Sequence, residues 1–250
     1  MFDLNGHVAV ITGADSDLGE QFAYALTEQG AHVALLGKDG IRLNKIIRGI
    51  GKRKKMAVSV LCDINDASQI AESVNTVLGE FGRVDILVNN CGGNLPANLL
   101  CLPREDKQRV ININVNSVFT CTHLYIKEMK RLGYGRIVIV SSGLGVVRNE
   151  YPAMPMQVSQ GVLQSYARAV SYETARYGIT VNVIIPGYFR TEITARLSES
   201  ADCLKDIYKF CPLGRLGEKN ELSAAVVYFA SEESSYTTGT CLKVDGGWCC

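Results

Sequence analysis

Short apolar, β-branched runs alternate with longer stretches of helical periodicity along the whole 250-residue chain. Val8–Thr12, His32–Leu36, Ala57–Cys62, Val84–Val88, Ile137–Val140, Thr180–Ile185 and Cys241–Val244 read as strands, because each is short and rich in Val and Ile. Between them the apolar positions recur every three to four residues. Leu18, Phe22, Ala25 and Leu26 share one helical face, and Gly30 stops that helix. Ile46, Ile47 and Ile50 mark a second helix, closed by Gly51. Asp66 is placed to cap a third, whose inner face is Ile70, Val74, Val77, Leu78 and Phe81 and whose end is Gly82. Leu102 to Leu132, Gln157 to Tyr177 and Glu221 to Ala230 read as further helices, the first two stopped by Gly133 and Gly178. Strands that are apolar on both faces and joined by helices predict an α/β fold: a Rossmann-like, doubly wound, parallel seven-stranded sheet with helices on both faces. The crossovers are expected to be right-handed. No linker, repeat or low-complexity tract interrupts the pattern, so residues 1–250 are read as one domain.

Composition narrows the function classes. The formal net charge is +1, from 26 Lys+Arg against 25 Asp+Glu, which leaves no electrostatic footprint for nucleic acid or a membrane surface. The one basic run, Lys52 to Lys55, is short and reads as a solvated helix end. At 47% hydrophobic residues the chain is too apolar for a disordered one. The nine cysteines include no Cys-x-x-Cys pair and the three histidines are isolated from them, so no metal site and no disulfide framework are expected. Reduced thiols in a cytoplasmic setting are the simpler reading. The N-terminus lacks a signal-peptide pattern, and no run approaches the roughly 20 apolar residues that a membrane helix needs.

The candidate chemistry starts after the first strand, at Thr12-Gly13-Ala14-Asp15-Ser16-Asp17-Leu18-Gly19. A glycine turn between a first strand and a first helix is where doubly wound folds hold a dinucleotide pyrophosphate. Alone it is a weak signal. Asn89-Asn90-Cys91-Gly92, Ile113-Asn114, Ser141-Ser142, Pro186-Gly187-Tyr188-Phe189-Arg190-Thr191 and Val244-Asp245-Gly246-Gly247-Trp248 follow in order. Together these segments, from Leu4 to Trp248, resemble the short-chain dehydrogenase/reductase family. The resemblance implies cofactor contacts from Gly13, Asp17, Leu18 and Gly19 at the pyrophosphate, Asp63 at the adenine, Asn90 and Gly92 on the adenosine side, and Ile185, Gly187 and Thr191 at the nicotinamide. An acidic residue at the tip of the second strand would bind the ribose 2′-OH and select NAD(H). This chain carries Gly37 and basic Lys38 there, which favours NADP(H). Lys38 also reads as an ordinary surface lysine.

Two departures from the family pattern matter more than the matches. Asp17 stands where the family has a glycine, and its carboxylate adds bulk and a like charge beside the pyrophosphate. At about 5 Å and an effective dielectric near 20 that repulsion is roughly 3 kcal/mol, over a hundredfold in affinity. Asp17, with Asp15 and Ser16, alternatively caps the first helix, and a carboxylate doing so would occupy the anion site itself. The second departure lies in the family's Tyr-x-x-x-Lys pair. Counting back from Gly178-Ile179-Thr180-Val181-Asn182 at the family's spacing puts Met156 at the tyrosine position and Gln160 at the lysine position. No lysine occurs between Lys130 and Lys205, so no shift of register restores the pair.

Ser142 and Asn114 remain from the family's tetrad, or are simply a turn serine and a helix-bending asparagine. Tyr188 and Tyr151 are candidate surrogate acids, with Arg148 or Arg190 as sources of positive charge; both phenols read equally as packing residues. Leu95, Leu99, Leu100, Val146, Val147, Met154, Met156, Tyr188 and Phe189 are expected to rim an apolar pocket suited to a hydrophobic small molecule, or else to fill a closed core. His123 is expected at a packing face of its helix, and Cys249-Cys250 as an inert tail. By resemblance the chain forms a homodimer or homotetramer through the helices around Lys107–Arg131 and Gln157–Tyr177 and the last strand. Three functions follow: a redox-impaired member that binds a ligand or partner, an NADP(H)-dependent oxidoreductase with a surrogate acid, and a non-redox isomerase or cyclase on an apolar substrate.

Overall fold

The computed structural model describes residues 1–51, 57–90, 92, 103–143, 154–192, 194 and 211–249. Seven strands form one sheet: β1 (Val8–Thr12), β2 (His32–Gly37), β3 (Ala57–Leu61), β4 (Ile86–Asn89), β5 (Gly135–Val140), β6 (Ile179–Pro186) and β7 (Cys241–Val244). Their spatial order is β3-β2-β1-β4-β5-β6-β7, and every neighbouring pair is parallel. The helices are α1 (Asp17–Glu28), α2 (Gly40–Gly51), α3 (Ala67–Phe81), α4 (Arg104–Ile111), α5 (Ser117–Leu132), α6 (Met154–Thr174) and α7 (Ser223–Ala230).

Alternation along the strands builds two cores, one on each face of the sheet. Ala9, Ile11, Val33 and Leu35 point to one side, where they meet Phe22 and Leu26 of α1, Leu43 and Ile46 of α2 and Phe229 of α7. Val8, Val10, Ala34 and Leu36 point to the other, where they join Ile70 and Val77 of α3, Tyr125 and Met129 of α5 and Leu163 of α6. Both faces of β1, β2, β4, β5 and β6 are buried, which is why these strands lack the polar alternation of a half-exposed sheet, while the edge strands β3 and β7 are partly exposed. Asp66 caps α3 as expected, its carboxylate accepting from the amides of Ser68 and Gln69.

Two details differ from the pattern. The expected long helix before β5 is three pieces, because Asn112–Asn116 forms a π-turn between α4 and α5. His123 is exposed, since the inner face of α5 is made by Val118, Cys121, Thr122, Tyr125 and Met129. Phe189, 5% exposed, packs into the core with α1 and α7, one of the two placements expected for it, and also lines a small cavity beside Tyr188.

The chain runs from β1 outward to β3 and then returns to the other side of β1 with β4. That reversal leaves a crevice at the C-terminal ends of β1 and β4, where doubly wound sheets take their ligands.

Candidate functional site at the C-terminal edge of the sheet

The β1–α1 turn is closed by its own atoms. Ser16 is the N-cap of α1: its hydroxyl accepts from the amide of Gly19 at 3.1 Å and donates to the carbonyl of Gly13 at 2.7 Å. A Cβ at position 19 would lie 2.2 Å from the Gly13 carbonyl oxygen, so only glycine fits there. The side-chain amide of Asn90 donates to the Gly13 carbonyl and to Ser16 Oγ, both at 3.1 Å. Asn90 therefore braces the turn from β4. Leu18 packs against the core beside α1.

The two aspartates of the turn do not cap α1. Asp15 reaches across to the tip of β2, where its Oδ2 accepts from the amides of Lys38 at 2.8 Å and Asp39 at 2.9 Å. Gly37 permits this approach, since a Cβ there would stand 2.6 Å from the Asp15 carboxyl carbon. Asp17, in the first turn of α1, has a side chain only 8% exposed. Its Oδ1 accepts from Arg42 Nη2 at 2.9 Å and from Lys219 Nζ at 2.8 Å, and its Oδ2 accepts from the amide of Glu192 at 2.6 Å. Burial works to raise the pKa of Asp17. The hydrogen bonds from Lys219 and the Glu192 amide, with the charges of Lys219 and Arg42, outweigh it and hold the carboxyl below its ordinary range.

At the tip of β2, Lys38 is exposed and pairs with Asp63 at 2.8 Å. That hydrogen bond, with those from Asn65, keeps Asp63 below the usual carboxylate range. Gly92 lies against Asn114, whose Oδ1 would be 3.2 Å from a Cβ there. Ile185 is buried in the α3–α5 core, Gly187 packs on the backbone of Asp245, and Thr191 forms a tight turn with Thr194.

The expected reaction centre lies where β5, the π-turn and α6 meet. Gln160, 3% exposed, accepts from Ser141 Oγ at 2.8 Å and donates through Nε2 to the Met156 sulfur at 3.3 Å. Asn114, 1% exposed and held in the π-turn, donates through Nδ2 to the same sulfur at 3.6 Å. Ser141, Gln160, Met156 and Asn114 thus form one connected group containing no ionisable side chain. Ser141 makes the contact to Gln160; Ser142, the sequence-level candidate, is next to it and half-buried.

Tyr188 follows β6, and its ring centre is 4.5 Å from that of Trp248. The pair lines a cavity of about 120 Å³ with Leu213, Arg215, Glu221 and Gly246. Cys249 is buried beside Gly143. Tyr151, Arg148, Cys250 and the rim positions Leu95, Leu99, Leu100, Val146 and Val147 lie outside the described residues. Arg42 and Lys219 carried no sequence signal. They sit 25 and 202 positions from the aspartate they meet, and only the fold brings them together.

Comparison with known proteins fits this architecture. The model of the family described as Enoyl-(Acyl carrier protein) reductase matches residues 13–249. A 3-oxoacyl-[acyl-carrier-protein] reductase of Synechocystis is 31% identical over 249 residues, covering 99% of this chain and 98% of the relative. Oxidoreductase UcpA of Salmonella typhimurium is 34% identical, covering 99% of this chain and 96% of the relative. Among solved structures, a gluconate 5-dehydrogenase from Burkholderia cenocepacia in complex with NADP and tartrate superposes with a TM-score of 0.94 at 28% identity, covering 99% of this chain and 96% of that one. The parallel seven-stranded sheet, its glycine turn and these full-length likenesses have one reading: the chain belongs to the short-chain dehydrogenase/reductase family.

Proposed function

We propose that this chain is a ligand-binding member of its family in which carbonyl reduction is impaired. The observation that carries the reading is the Met156 sulfur, which accepts N–H groups from both Gln160 and Asn114. A thioether has no proton to give, and a glutamine amide has no charge with which to shift a neighbour's pKa. Loss of a positioned general acid typically costs about 100- to 10,000-fold in rate. The ligand class this reading favours is an apolar small molecule, because Tyr188, Trp248 and Leu213 present an aromatic and aliphatic wall beside the crevice. Buried free thiols at Cys62 and Cys211 fit a reducing, cytoplasmic setting. The α5–α6 face fits self-association as a homodimer or homotetramer, with Phe119 stacked on Tyr166 and Val158 half exposed. Among the described residues no helix is long and apolar enough to cross a membrane.

The test is turnover of the purified chain with NADPH and a panel of 3-oxoacyl thioesters, keto sugar acids and apolar ketones. The expected rate is at least about 100-fold below the 1–1,000 s⁻¹ of ordinary enzymes. Ordinary turnover would overturn the reading. A second reading is an NADP(H)-dependent oxidoreductase with Tyr188 as surrogate acid. The names of the relatives, the NADP-bound structural neighbour and the lysine at the tip of β2 support it. It requires that Tyr188→Phe abolish any reduction observed.

A further inference from the structure

The crevice is spanned by a single carboxylate. Its two walls are the β1–α1 turn and the segment that follows β6, and Asp17 joins them through the Glu192 amide. The same carboxylate holds Arg42 of α2 and Lys219 of the short helical turn before α7, while Arg42 also binds Glu192 Oε2 at 3.0 Å. Four elements are therefore tied at one point. Around the corner, Asp15 takes both backbone amides at the tip of β2, and Lys38 there is matched by Asp63. Lys38, Arg42, Lys219 and the backbone amides of Lys38, Asp39 and Glu192 each already have a carboxylate partner.

A dinucleotide brings a charged pyrophosphate to this place. It would have to displace Asp17 from two cations and an amide, leaving a largely buried carboxylate unmatched beside the incoming phosphates. Breaking such a pair without replacing the partner is strongly unfavourable. Glu20, at 3.8 Å from Arg42, and Glu192 add further negative charge around the same guanidinium. The residues present, as arranged, do not fit the cofactor that the family resemblance implies.

We propose that Asp17 is a built-in counter-anion: a strap across the crevice that fills the phosphate position from within, so that the chain excludes nicotinamide dinucleotides while the strap is closed. Removal of the carboxylate should turn Arg42, Lys219 and the first turn of α1 into an open phosphate site, since a helix N-terminus beside two cations attracts anions. The strap shares no hydrogen-bonding residue with the Met156 group, and the inference does not depend on the missing proton donor.

Calorimetric titration of the full-length chain with NADPH and NADP⁺ tests this. The wild type is expected to show no saturable binding below about 1 mM, and Asp17→Gly to bind at least about 100-fold more tightly. Asp17→Asn removes the charge, keeps the bulk, and is expected to fall between them; it also reads the effect if the glycine variant does not fold. Adding Arg42→Ala or Lys219→Ala to Asp17→Gly should reverse part of the gain, because those cations would then meet the phosphates. Micromolar binding by the wild type would overturn the strap and leave the Met156 reading standing. Folded Asp17→Gly and Asp17→Asn chains with no gain in affinity would overturn it equally.

Discussion

The two ends of the crevice solve the same problem with opposite chemistry. At the β1 end a carboxylate stands in a tight turn, and the fold draws a guanidinium, an ammonium and a backbone amide around it from three other elements. At the β5 end the group linked by Ser141, Gln160, Met156 and Asn114 carries no charge: two side-chain amides converge on a sulfur, and a hydroxyl donates to one of them. The first end is held by Coulombic attraction and responds to pH and salt. The second is held by short-range hydrogen bonds and responds to neither. A site can therefore be filled from inside by charge or by neutral packing, and the two are separable by experiment.

The largest expected effect comes from breaking the scaffold of the charged end. Gly19→Ala puts a methyl against the Gly13 carbonyl, a backbone atom that cannot rotate away. Overpacking of this kind costs about 3 kcal/mol, and urea unfolding of the variant should show it. Next is Asp17→Asn, which takes the Asp17 charge away from Lys219 and Arg42, leaving Arg42 with Glu192 and Glu20, and should lower stability by about 1–2 kcal/mol. Loss of stability here accompanies the gain in nucleotide affinity.

The sign of the pH effect follows from the depressed carboxyl. The unfolded chain carries Asp17 at its ordinary value of 3.8 and the folded chain carries it lower. The strap's contribution is complete above the unfolded value and is lost as pH falls through the folded one. The difference in melting temperature between wild type and Asp17→Asn should be full at neutral pH and shrink as the pH is taken below 3.8. The smallest effect is expected at the neutral end. Gln160→Leu strands the Ser141 hydroxyl in a buried position and should cost about 1 kcal/mol, with the same difference at every pH. A pH-dependent difference there would blur the contrast between the two ends.

Much of this was legible in the sequence, for reasons that are local. The five inner strands announce themselves because both of their faces are buried, and the α3 cap because Asp66 precedes a clean apolar stripe. The glycines at 13 and 19 mark the turn, and counting from β6 puts Met156 and Gln160 beside each other on α6, where they touch. What the sequence hid is non-local or a matter of phase. Asp15, Ser16 and Asp17 all read as helix caps; Ser16 holds that position, and each aspartate is drawn to a different partner across the crevice. The π-turn at Asn114 advances the helix by an extra residue, which hydropathy periodicity does not register. The contact of Ser141 with Gln160 joins the end of β5 to α6 across 19 positions and has no local signal.

The most direct test of the account is ketone reduction measured in the Asp17→Gly background, with NADPH bound to saturation. The account predicts a chain that holds the nucleotide and turns over at least about 100-fold below ordinary enzyme rates, with reduction appearing only when Met156→Tyr and Gln160→Lys are added together. Reduction at ordinary rates by the Asp17→Gly chain alone would contradict it.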